Sequence, residues 1–150
     1  MPKGAIINEF IRKYTLLVVV LAIIALLVQG DLLSSSALII GGQALAILIA
    51  ISARVAFRKQ QLKLIADPGK GALIMRGPYR FIRHPMYAAA LLFLWVSICG
   101  HWSIFNAAIG VVVTTFAIVR ISVEERLLRI HYAEYGEYEL RTKKILPFIY

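Results

Sequence analysis

Three long runs without Asp, Glu, Lys or Arg organise the chain: 17 residues over 14–30, 22 over 32–53 and 36 over 84–119. A helix needs about 20 apolar residues to cross a bilayer, within a range of roughly 17–25. The first two runs therefore each predict one membrane-spanning helix. The third is too long for one span, and Gly100-His101-Trp102-Ser103 near its middle supplies a polar turn with a Trp suited to the membrane surface. It reads as a hairpin of two short helices. The expected fold is all-α: a polytopic membrane protein with four transmembrane helices, at about 14–30, 34–54, 86–99 and 104–121, plus a cytoplasmic C-terminal helical segment. A length of 150 residues predicts one domain, 1–150.

Composition agrees. Hydrophobic residues make up 60% of the chain and charged residues 17%, against ~45–50% and ~25% in soluble domains. Mean hydropathy is +0.76. A soluble chain this small has too little interior to hide so much apolar surface. Disorder is excluded, since disordered chains are poor in apolar residues. Cys99 is the single cysteine, which excludes an intrachain disulfide scaffold.

The net charge of +9 is explained by where the basic residues fall. Lys3, Arg12 and Lys13 precede the first expected span, eight Lys or Arg lie between the second and third, and six lie at or beyond the end of the fourth. The other two loops hold none. Basic loops stay in the cytoplasm, so both termini and the central loop are expected there, as an even number of spans requires. The charge thus reads as topology and attraction to anionic lipid headgroups, with no nucleic-acid partner. A cleaved signal peptide ending near Ser34-Ser35-Ser36-Ala37 is the competing reading of the N-terminus. Cleavage would leave three spans and break the charge arrangement, so an uncleaved anchor is preferred. Gly41-Gly42 in the second span reads as a place where helices approach closely.

Chemistry concentrates on the expected cytoplasmic face. Asp67-Pro68-Gly69-Lys70-Gly71 lacks the spacing of a phosphate loop, and no G-x-G-x-x-G occurs, so a nucleotide site of the parallel-sheet type is excluded. In Gly77-Pro78-Tyr79-Arg80-Phe81-Ile82-Arg83-His84-Pro85-Met86-Tyr87, Pro85 keeps His84 out of the helical region and suits the first position of the third span. That helix start, with Arg80, Arg83 and His84 beside it, reads either as an anion site or as a headgroup anchor. After the fourth span, Arg120 and Glu124 share one helical face, and Glu125 with Arg129 reads as a solvated surface pair. Tyr132, Tyr135 and Tyr138 follow at a spacing that would cover a ligand or lie on the bilayer surface. His101 reads as a loop residue, and no Cys, His, Asp and Glu grouping has zinc-ligand spacing, so no metal is expected.

These two segments together resemble the isoprenylcysteine carboxyl methyltransferase and phospholipid methyltransferase families of integral membrane enzymes. The likeness rests on the Gly77 to Tyr87 motif, then Glu124-Glu125-Arg126-Leu127-Leu128, Tyr135-x-x-Tyr138, Arg141 and Leu146-Pro147-Phe148-Ile149, and covers roughly the C-terminal half. The resemblance implies a helical bundle enclosing S-adenosylmethionine near the cytoplasmic surface. It implies cofactor contacts at Leu73, Ile74, Tyr79, His84, Pro85, Met86, Tyr87 and Glu124. Arg120 falls where the family faces its methyl acceptor, so Arg120 and Glu124 are the implied catalytic pair. A polar cofactor residue that the family carries earlier has no counterpart here, since Leu64 stands near that place.

The resemblance leaves the acceptor open among a prenylcysteine-type carboxylate, a phospholipid amine and a small hydrophobic molecule. For an amine acceptor, Glu124 or His84 is a candidate base. The implied partners are the lipid bilayer and that acceptor, and the implied location is a bacterial inner membrane. Two rival readings are an NADPH-dependent enzyme similar to membrane sterol reductases, and a non-catalytic membrane protein that keeps the fold.

Overall fold

The computed structural model describes residues 21–22, 24–25, 30, 36–66 and 73–146. Among them are four α-helices: α1 (Ala37–Ala66), α2 (Pro85–Gly100), α3 (Ile104–His131) and α4 (Tyr135–Arg141). One 3-10 turn, Gly77–Arg80, precedes α2. The only sheet-like pairing among the described residues is an isolated parallel bridge between Ile82 and Lys143. The first expected span, 14–30, lies outside the described residues apart from Leu21, Ala22, Ile24, Ala25 and Gly30.

Two of these helices are long and apolar enough to cross a membrane: α1 through its Ala37–Arg58 stretch of 22 residues, and α3 with 28, each containing an 18-residue stretch of mean hydropathy 2.0. The 16 residues of α2 are apolar but rise only about 24 Å at 1.5 Å each, short of the ~30 Å hydrocarbon core. Both long helices outrun their expected ends near 54 and 121. The residues that follow, Arg58, Lys59, Gln60, Gln61 and Leu62 in α1 and Glu124 to Arg129 in α3, are strong helix formers.

Exposure is inverted relative to a water-soluble protein. Leu38, Leu48, Ile51, Val111 and Phe116 face outward, while Gln43, Ser97 and Asn106 are buried. Lipid is as apolar as leucine, so nothing drives these side chains inward, and small or polar residues hold the helices together instead.

The helices contribute to two compact units. One takes the described residues up to Gln43 together with Phe93–Arg126, and the other takes Ala44–Leu92 with the described residues from Leu127 onward. In the first unit the Gln43 amide donates to Ser97 Oγ at 2.9 Å, and Ser97 Oγ donates to the Phe93 carbonyl at 2.9 Å. A Cβ on Gly110 would lie 2.7 Å from Ile98 Cδ1, the flexible end of that side chain, and 3.2 Å from the Trp95 ring, so α2 and α3 approach closely there. Beside that contact Trp95 Nε1 donates to Thr114 Oγ1 at 3.0 Å. The hairpin turn is set by Ser103, whose Oγ accepts the Asn106 backbone N–H at 3.0 Å and caps α3, while Asn106 Nδ2 donates to the His101 carbonyl at 2.8 Å.

Candidate active site

The second unit carries the corner formed by residues 77–87. Gly77 adopts φ +59°, in the left-handed region that glycine enters without cost, and a Cβ there would sit 3.4 Å from Ala56 Cβ on α1. Pro78 then starts the 3-10 turn, which closes with the Phe81 N–H on the Pro78 carbonyl at 3.1 Å. Past Phe81 the chain pairs with the segment after α4. Arg83 N–H donates to the Lys143 carbonyl at 2.7 Å, His84 N–H to the Lys144 carbonyl at 3.0 Å, and Lys143 N–H to the Phe81 carbonyl at 3.1 Å.

Pro85 occupies the first position of α2, where its missing N–H costs nothing. His84 stands just outside, and its carbonyl accepts the Ala88 N–H at 3.0 Å. The N-terminal end of α2, at Pro85, Met86 and Tyr87, is the positive end of the helix dipole. His84 and Pro85 are buried, Tyr79 and Tyr87 half-buried, and Met86 exposed. The His84 and Tyr87 rings meet edge to face, with centroids 5.8 Å apart. Leu73 and Ile74 lie in irregular backbone ahead of Gly77, half-buried.

Of the basic residues expected around this helix start, Arg80 is exposed but Arg83 is turned away to a protein partner. Its Nη1 donates to the Thr142 carbonyl at 2.6 Å and the Glu139 carbonyl at 3.1 Å, and its Nη2 lies 3.7 Å from Glu139 Oε1. The same Glu139 carboxylate takes two hydrogen bonds from Arg129, at 3.0 and 2.5 Å. Hydrogen bonding from Arg129 holds the Glu139 carboxyl below the usual carboxylate range, against a small opposing effect of burial. Arg83 thus serves the protein itself, and the expected anion site narrows to the helix start and His84.

The tyrosines are also placed differently from the expectation. Tyr132 precedes α4, so the three do not share one helix, and Tyr135 and Tyr138 are buried with their rings edge to face at 6.0 Å. The Tyr138 hydroxyl donates to the Tyr79 carbonyl at 2.7 Å. Burial pushes the Tyr138 phenol well above its ordinary value, neighbouring Tyr135 adds to this, and Arg83 opposes it. These rings therefore fill an interior.

In the first unit, α3 places Arg120 and Glu124 one turn apart, and Arg120 Nε donates to Glu124 Oε1 at 2.9 Å. Their side chains keep 23% and 35% of their exposure, enough to meet a solute. Glu125, expected on the surface, is 2% exposed. The sequence pattern thus finds the Arg120–Glu124 pair. It misses Glu139 and Thr142, which carry no motif and become visible only once the chain folds back on Arg83.

Among the described residues, two helices apolar enough to cross a membrane, a helix start beside a buried histidine and the partly exposed Arg120–Glu124 pair are features of a membrane protein that handles a polar ligand. The chain belongs to the phospholipid methyltransferase family, whose model matches residues 31–135. It is thereby a membrane protein of a methyltransferase family, in agreement with the resemblance read from its motifs. Searches of curated proteins and of solved structures gave no match.

Proposed function

We propose that the protein transfers a methyl group from S-adenosylmethionine to an acceptor held in the membrane, with an aminophospholipid the first acceptor to test. The observation that carries this reading is the start of α2, a proline-initiated helix end flanked by a buried histidine, in a chain of this family. The donor set fits the ligand's chemistry. First-turn amides of Met86 and Tyr87 suit a carboxylate. Glu124 suits an ammonium group or ribose hydroxyls, and the half-buried Tyr79 and Tyr87 rings suit adenine.

When bound, S-adenosylmethionine would supply an electrophilic methyl carbon on its sulfonium, open to in-line attack by an acceptor lone pair, with the thioether leaving on the carbon–sulfur electron pair. The protein contributes alignment and electrostatics. Arg120 would hold an acceptor phosphate or carboxylate through its guanidinium fork. An amine acceptor must also lose a proton, which His84 or Glu124 would take. The distribution of basic residues supports a cytoplasmic setting for this chemistry in a multi-pass membrane protein.

The test is binding and turnover in detergent or nanodiscs. Purified protein should bind S-adenosylhomocysteine but not NADPH, and methyl-labelled donor should mark a membrane lipid. NADPH binding without S-adenosylhomocysteine binding would overturn the reading.

A further inference from the structure

We propose that Arg83 is a positioning residue, which sets the histidine at the start of α2 by clamping the end of α4 beneath it. The inference deepens the reading of the site above, and its binding arm rests on that reading. Consecutive residues Arg83, His84 and Pro85 take three different roles. Pro85 starts α2, His84 presents its ring to Tyr87, and Arg83 points into the C-terminal segment.

The guanidinium, in a side chain 6% exposed, meets the last turn of α4 where unpaired carbonyls and the negative end of the helix gather. One nitrogen, Nη1, bonds the Glu139 and Thr142 carbonyls and lies 3.4 Å from Thr142 Oγ1, while Nη2 faces the Glu139 carboxylate. Thr142 Oγ1 in turn donates to the Tyr138 carbonyl at 2.6 Å, and Tyr138 Oη donates to Tyr79. The clamp therefore returns to the turn from which it came. Its output is backbone: the Arg83 and His84 amides lie on the Lys143 and Lys144 carbonyls, and the His84 carbonyl receives the first bond of α2. The peptide that carries the imidazole is thus held from both sides. A planar fork can meet two carbonyls and a carboxylate at once, whereas a lysine ammonium offers one point charge and no such fork.

The test uses the full chain with isotope-labelled histidine, since the protein has three histidines, His84, His101 and His131, and two serve as internal references. Arg83→Lys should shift the His84 ring resonances and leave those of His101 and His131 in place. It should also weaken S-adenosylhomocysteine binding about 10- to 100-fold, as misplacing a contact by about 1 Å does, at a temperature well below melting. Thr142→Val, nearly isosteric and lacking the hydroxyl link to Tyr138, should move His84 in the same way to a smaller extent, and decides the matter if Arg83→Lys fails to fold. Arg141→Gln, at a side chain 80% exposed, should change neither signal nor binding. A purely structural role predicts lower melting temperatures with unmoved His84 resonances and unchanged affinity, and that result overturns the proposal. Absence of S-adenosylhomocysteine binding in the wild type overturns the donor reading instead, while the His84 resonances still judge the clamp.

Discussion

Replacing Glu124 with Gln separates what the Arg120–Glu124 pair does for the fold from what it does for a ligand. The two side chains are 23% and 35% exposed and joined by one 2.9 Å hydrogen bond across a helical turn. Half-exposed i,i+4 pairs of this kind stabilise a helix by ~0.3–0.5 kcal/mol, and solvent screening lowers even that. The glutamine oxygen still accepts from Arg120, so melting should fall by about 2 °C or less. A ligand ammonium or ribose diol held by the carboxylate loses a charged hydrogen bond, which contributes ~1.5–3 kcal/mol. At 1.4 kcal/mol per tenfold, S-adenosylhomocysteine should bind about 10- to 140-fold more weakly. Titration calorimetry in detergent measures the affinity, and a thermal melt of the same sample measures the fold. Arg120→Ala breaks the same pair and serves as the control. If Glu124 touches the donor and Arg120 the acceptor, Arg120→Ala leaves donor affinity near wild type and removes turnover. Equal losses of donor affinity in both variants would mean that only the broken ion pair matters. Unchanged affinity in Glu124→Gln would refute the role assigned to its carboxylate.

Other expectations follow from the same geometry. Tyr138→Phe removes the donor to the Tyr79 carbonyl and should destabilise the protein by ~1–2 kcal/mol, read as a lower melting point in one detergent. Gly110→Ala should be tolerated because the Ile98 methyl can swing aside, whereas Gly110→Val drives methyls into the Trp95 ring and should cost ~1–3 kcal/mol, with a change in Trp fluorescence. Glu139 has its native pKa below the unfolded value of about 4.5, so its stabilising share is present above that pH and lost as pH falls through the lower native value. Acid melts below pH 5 should therefore penalise wild type more than Glu139→Gln, and identical acid profiles would remove Glu139 from the clamp.

The apolar runs and the Arg83-His84-Pro85 motif by themselves determined much about this protein. Burial in lipid depends on the length and composition of a segment, so the helices at α1, α2 and α3 were legible as charge-free runs. Proline restricts its own backbone and that of its predecessor, so the start of α2 at Pro85 was legible too. Arg120 and Glu124 met because helical spacing alone brings residues four apart together. Tertiary structure decided the rest. Sequence could not say whether Arg83 would face a ligand or its own chain, since its partners Glu139 and Thr142 lie more than fifty residues away and are joined to it by no periodicity. Nor could it turn Tyr135 and Tyr138 inward or bury Glu125, because aromatic and acidic side chains at a membrane edge are compatible with water, lipid or protein. Local rules fix what a segment can be, and only the return of the chain on itself fixes which atoms satisfy its polar groups.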